Sequence, residues 1–238
     1  MIDSPRRGEF IAGVRAQLPL LLGVAPFGMA YGAYAVETGL AAGLAQAMSV
    51  IVFGGASQFV AVQLIGSGVP AAIVVLAASL VNLRHMLYSA SLAPYVDHLA
   101  ARWRWLLAYV LTDEAYATAI RRYHEDGDGS RRHWFFLGTG IALWATWQAT
   151  TAAGVLVGTA VPDSWSLDFA LPLTFLALLL PALKGRAAIV AAVVAGTIAV
   201  AGHRWPYATG LIAAAVAGMA AAVVVARAAG EDAPGEAA

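Results

Sequence analysis

With 61% hydrophobic and only 12% charged side chains over 238 residues, the chain is far more apolar than soluble domains, which run at roughly 45–50% and 25%; it reads as an integral membrane protein. Fourteen basic residues balance fourteen acidic ones, so nothing in the net charge points to nucleic acid or another strongly anionic partner. The chain has no cysteine, which removes disulfides and thiolate chemistry, and its five histidines lack the spacing of a helical metal site, so no metal or other cofactor is expected.

Residues 1–17, with Arg6 and Arg7, are expected to form a cytoplasmic N-terminus. The first apolar run, 18–36, is long enough to cross about 30 Å of hydrocarbon and longer than the 7–15 residues of a signal-peptide core, which favours an uncleaved helix. Further apolar runs follow at 40–66, 69–93, 105–120, 134–160, 168–183, 187–201 and 205–226. The fold class expected is therefore all-α, a polytopic membrane protein of about eight transmembrane helices with broken helices in the N-terminal half. Seven crossings result if the short break between Pro181 and Arg186 separates nothing.

The transporter domain is expected over 18–227, divided by a polar cytoplasmic linker at 121–133, with a disordered acidic tail over 228–238. The Asp126-Gly-Asp-Gly-Ser run in the linker lacks the closing Glu of an EF-hand and reads as a solvated turn. Eight crossings with both termini cytoplasmic place Arg6, Arg7, Arg15, Arg121, Arg122, Arg131, Arg132, Lys184, Arg186 and Arg227 inside. They leave Arg102, Arg104 and Arg204 outside, the first two beside Trp103 and Trp105 in an interfacial belt. Repeated halves suit this layout, yet no sequence repeat is visible.

Three of the runs carry groups that a plain anchor would lack. Pro26 and Gly28 interrupt the first, and Gly54, Gly55 and Gln58 interrupt the second; such groups open a helix backbone that must then face protein or a wet cavity. The alternative for the glycines, Gly28-x-x-x-Gly32, Gly39-x-x-x-Gly43 and Gly154-x-x-x-Gly158 included, is close helix packing. In the third run Asn82, Arg84 and His85 stand among apolar residues. An Arg at mid-bilayer costs roughly 2.5–3.5 kcal/mol on insertion scales and needs a partner.

Asp113 and Glu114 supply candidates in the fourth run. Asp113 is favoured because Tyr109 and Tyr116 flank it as hydrogen-bond donors, leaving Glu114 as the freer proton carrier, with His85 a further titratable neighbour. A structural Arg84–Asp113 pair and a pair that grips a substrate carboxylate both remain open.

In order along the chain, Leu18-Pro19 to Pro26-Phe27-Gly28, Phe53-Gly-Gly-Ala-Ser-Gln-Phe59, Asn82-Leu-Arg-His-Met-Leu-Tyr88 and Thr112-Asp113-Glu114 resemble the signature of the AzlC/YgaZ family over about the first 160 residues. The resemblance implies the large subunit of an exporter of branched-chain amino acids in the bacterial inner membrane. It implies export of valine, leucine and isoleucine, with methionine as a further substrate, driven by protons, together with a small hydrophobic AzlD/YgaH-type subunit. Pro26, Gly28, Gly54, Gly55, Gln58, Asn82, Arg84 and Asp113 would then bind or move substrate, with Glu114, Asp113 and His85 coupling protons. A regulatory membrane subunit without a site, or an intramembrane enzyme using Ser57 or Asp113, are the other readings. No P-loop G-x-x-x-x-G-K-[ST] is present, which argues against ATP hydrolysis.

Overall fold

The computed structural model describes residues 4–125, 131–160, 183, 185–206 and 209–229. The secondary structure among them is helical, as the composition predicts. It falls into two compact units, residues 1–66 with 78–165 and residues 67–77 with 166–238. The predicted helix at 168–183 except its last residue, the acidic centre of the linker at 126–130 and the tail beyond 229 lie outside the described residues.

The spine of the first unit is a pair of long helices, α1 (Ser4–Glu37) and α8 (Arg132–Ala160), of 34 and 29 residues. Both exceed the roughly 20 residues needed to cross the hydrocarbon. They run parallel and touch backbone to backbone through glycines that face each other reciprocally. A methyl group added at Gly13 would overlap the Phe135 carbonyl, and one at Gly138 would overlap the Phe10 carbonyl. At the other end, Gly32 lies on the Thr151 carbonyl and Gly154 on the Met29 carbonyl. Helices in lipid gain little from hiding apolar surface, so small residues that admit close van der Waals contact set the pairing.

This contact overturns the break expected at Pro26. The helix continues through Pro19 and Pro26 to Glu37. Contacts with α8 on both sides, at Gly13 and at Gly32, hold the segment straight enough to tolerate the lost hydrogen bonds. Gly28 is likewise a packing residue, buried beneath Thr150 and Trp147. Gly39 and Gly43 pack against nothing; Gly39 has φ +87° and serves the turn that ends α1.

The run 40–66 does not cross. It forms α2 (Ala42–Val52) and α3 (Gly55–Gly66), joined through Phe53, whose φ of 39° and ψ of 50° are left-handed, and Gly54. A left-handed Phe is costly, on the order of 1–3 kcal/mol, and it reverses the chain. α3 begins at Gly55 against Phe27 and Trp147 and ends at Gly66 beside Thr38, back where α2 set out. The pair is a re-entrant hairpin, each arm half a membrane long. Gln46 Nε2 donates to Gln148 Oε1 at 2.7 Å, and the Ser49 and Thr151 hydroxyls meet at 3.1 Å, fixing α2 to α8.

Next come α4 (Ala71–Asn82) and α5 (Arg84–Val96), one apolar path bent by 41° at Leu83 and long enough as a pair to cross. The run 105–120 then doubles back in its turn. α6 (Ala101–Tyr109) starts with Trp103 against His133 and Trp134, at ring separations of 4.7 and 4.8 Å, and climbs to Tyr109 beside Trp144. α7 (Asp113–Glu125) returns to the starting end, where the Tyr123 hydroxyl donates to the Arg132 carbonyl and Arg122 reaches Glu9 at 3.8 Å. Hydropathy registers the length of such a run and not its direction, which is why a full span was expected here.

The second hairpin moves Arg102 and Arg104 to the end that holds Arg6, Arg7, Arg121, Arg122, Arg131 and Arg132. Arg15 lies a little deeper on α1, and Arg84 is the one other arginine in the sequence of this unit. Burial, with His98 and Arg6 nearby, holds the His133 imidazole at this end below its usual range. Since the chain is cysteine-free, an impermeant thiol reagent is expected to label Arg102→Cys and Arg131→Cys from one face and Ala41→Cys from the other. Labelling of Arg102→Cys from the Ala41 face would restore a full crossing at 105–120.

In the second unit, α9 (Arg186–Ala201) and α10 (Thr209–Ala228) form an antiparallel pair, with Gly202 on Gly210 and Gly218 against Ala191 and Ala195. Of these, α10 is long and apolar enough to cross a membrane.

Candidate functional site

The two hairpins enter from opposite ends, and their tips meet halfway along the α1–α8 pair, next to the bend between α4 and α5. Phe53 of the first tip lies 6.1 Å from the Tyr109 ring of the second, and the Tyr109 hydroxyl donates to the Val50 carbonyl at 2.6 Å. The bend supplies one residue to each tip. Asn82 lies over Gly54, and Arg84 Nη2 pairs with Asp113 Oδ2 at 2.9 Å.

Three helix breaks in one place bring together three helix N-termini, at Gly55, Arg84 and Asp113, and three C-termini, at Val52, Asn82 and Tyr109. The N-termini present partial positive charge and free N–H groups, and the C-termini present carbonyls. Such a centre suits a small molecule carrying both a carboxylate and an ammonium group.

Side chains complete the first tip. Gln58, fully buried, accepts from the Gly54 N–H at 3.2 Å and from Trp147 Nε1 at 3.1 Å. The Ser57 hydroxyl donates to the Gly54 carbonyl at 2.8 Å. Behind Gln58 stands an aromatic wall in which Phe27 stacks on Phe59 at 4.7 Å and Tyr31 on Trp147 at 5.9 Å. Gln58 Nε2 lies beside the Tyr31 hydroxyl, and two further buried polar atoms, Asn82 Oδ1 and Arg84 Nε, have no hydrogen-bond partner among the described residues. Buried polar groups are rarely left so, which marks this cluster as a candidate polar site.

At the second tip the expected Arg84–Asp113 pair is present, but its tyrosine is a different one. Tyr88 donates to Asp113 Oδ1 at 2.8 Å, one turn on from Arg84 and on the same helix face. Tyr109 is committed to Val50 and Trp144, and Tyr116 meets the Ser91 hydroxyl at 3.0 Å. Glu114 does not share the pair, and His85 lies 5.9 Å from the Tyr88 ring.

Of the residues singled out from sequence, Gly54, Gly55, Gln58, Asn82, Arg84 and Asp113 thus converge, with Glu114 and His85 adjacent. Pro26 does not take part, and Gly28 only packs. Tyr88 and Trp147, read from the sequence as a face neighbour of Arg84 and as helix packing, belong to the centre, as does Tyr31, which was not singled out. Gln17, fully buried on α1 with neither side-chain amide atom hydrogen-bonded among the described residues, was not singled out, because it falls in the segment read as a polar N-terminus.

The model of the family described as AzlC protein matches residues 19–161, the stretch from within α1 to the end of α8 that holds both hairpins and the bend. The chain belongs to the AzlC family. It is similar to an "Uncharacterized membrane protein" of Archaeoglobus fulgidus, at 33% identity over 92% of this chain and 96% of that one. It is also similar to "Inner membrane protein YgaZ" of Escherichia coli K12, at 27% identity over 82% of each chain. A further "Uncharacterized membrane protein", from Helicobacter pylori, is 28% identical over 74% of this chain and 78% of its own. No solved structure matches. The chain is accordingly an AzlC-family membrane protein, in keeping with a membrane transport subunit.

Proposed function

We propose that the chain is the large subunit of a proton-coupled exporter of branched-chain amino acids, acting with a small hydrophobic subunit of the AzlD/YgaH type. The observation that carries this is the meeting of two opposed hairpin tips at a helix break lined by Arg84, Asp113 and unsatisfied polar atoms. Arg84 and the helix N-termini hold the substrate carboxylate, Asp113 and the C-terminal carbonyls hold its ammonium, and Phe53 with neighbouring aromatic side chains takes the aliphatic part. Glu114 carries the coupled proton, with Asp113 and His85 as its neighbours in the relay.

Each hairpin closes the site toward its own face, so withdrawing one and then the other gives alternating access. The arginine-rich end is cytoplasmic by the positive-inside rule, which also places the N-terminus inside. In proteoliposomes, labelled leucine should show counterflow against unlabelled valine, strongest when the small subunit is present. Absence of exchange for valine, leucine, isoleucine and methionine, with or without that subunit, would refute the proposal.

A further inference from the structure

A cavity of about 220 Å³ opens between α5 and α6 and is floored by Phe136 of α8. It lies below the roughly 300–1,000 Å³ of drug-sized sites and suits a molecule of amino-acid size. Its walls are two helix faces. They run from Ser89, exposed on α5 near the bend, to Asp97 just past the end of α5 at the mouth, and from Leu111 just beyond α6 through Leu107 to Arg104 at the mouth. The lining is chiefly apolar, with Leu107, Leu111 and Phe136 buried in its floor.

The mouth lies at the arginine-rich end, since α5 runs toward it and α6 starts from it. There an exposed carboxylate and an exposed guanidinium flank an apolar slot without an ion pair to any described residue. One charge of each sign over an apolar wall is the complement of a zwitterion with an aliphatic side chain. The opposite end reaches Ser89 and Leu111, one residue from Tyr88 and two from Asp113, which are joined by a 2.8 Å hydrogen bond.

We infer that this groove is the loading path by which aliphatic amino acids reach the centre from the arginine-rich face, with Asp97 and Arg104 capturing them and the Tyr88–Asp113 contact as the inner gate. The inference rests on the export reading, and goes beyond it in naming the route and its capture residues.

The test uses the full chain with a single cysteine, Ala93→Cys on the α5 wall, or the near-isosteric Ser89→Cys should the first variant fail to fold. A cationic, impermeant methanethiosulfonate applied from the arginine-rich face is expected to modify it, and leucine to slow the modification. Adding Asp97→Asn should raise the leucine concentration needed by about tenfold, the loss of one charge-assisted bond. Modification only by a lipid-soluble maleimide would mean the groove holds acyl chains and overturn the inference, as would modification that leucine does not slow. If leucine counterflow persists in either case, the route is wrong and the export reading stands. Loss of counterflow in the unmutated chain takes both down.

Discussion

Exchanging the two charges, Arg84→Asp with Asp113→Arg, is expected to restore a stable protein without restoring transport. At 2.9 Å the pair is a charge-assisted hydrogen bond, and removing one partner from a sealed pair costs about 3–5 kcal/mol. With side chains 37% and 36% exposed, Arg84→Ala and Asp113→Ala should each cost less than that, and both should fold. The exchange rebuilds the attraction, so thermal stability in detergent should recover most of the loss. Transport differs because the ligand has a fixed polarity. An Arg on α5 faces helix N-termini that favour a carboxylate, and in the exchanged protein that position holds an acid. Leucine counterflow should fall by about ten- to a hundredfold in Arg84→Ala, the worth of one such bond, and stay low in the double variant. Full transport by the double variant would show that Arg84 only holds Asp113 in place.

The centre of the site was legible because its parts are expensive in lipid. An Arg in an apolar run demands an opposite charge, and Asp113 was the acid within reach; paired glycines in a 27-residue run announce an open backbone, and the chain does reverse at Phe53 and Gly54. Direction was not legible. The runs 40–66 and 105–120 were read as spans, and only the return of Gly66 to Thr38, and of both Trp103 and Tyr123 to the start of α8, shows that they double back. The charges held a hint: Arg102 and Arg104 were exceptions to the positive-inside rule under full crossings, and under a hairpin they join the other arginines. Pro26 misled because its local cost is outweighed by contacts with a helix more than a hundred residues away.

The hairpins also locate a repetition that the linear sequence hides. A long helix followed by a re-entrant hairpin, α1 with α2 and α3, is succeeded by a bent helix followed by a re-entrant hairpin, α4 and α5 with α6 and α7, in the opposite direction. Inverted plans of this kind give a transporter two gates of similar construction on opposite faces, with the substrate between them. Here the equivalent tips carry different chemistry, Gln58 and Gly54 at one and Asp113 at the other. The site can therefore be symmetric in motion and polar in recognition.

Two alanine substitutions within α1 should move stability in opposite directions. Gly23 has open space where a methyl group would go, so Gly23→Ala gains helix propensity and should stabilise by about 0.5–1 kcal/mol. Gly32 lies nine residues on, and its methyl group would overlap the Thr151 carbonyl and lie 2.8 Å from the Val155 nitrogen. A backbone obstacle has no rotamer to relieve it, so the helices must separate, and with them the reciprocal contact of Gly154 on Met29. Gly32→Ala and Gly154→Ala should each cost about 1–3 kcal/mol or more, the range of overpacked sites. The two together should cost less than the sum, because one separation accommodates both methyl groups. Thermal unfolding of purified protein in detergent reads all four cases. Equal and small effects at Gly23 and Gly32 would mean that α1 and α8 do not meet through their glycines, and the spine carrying both hairpins would have to be rebuilt.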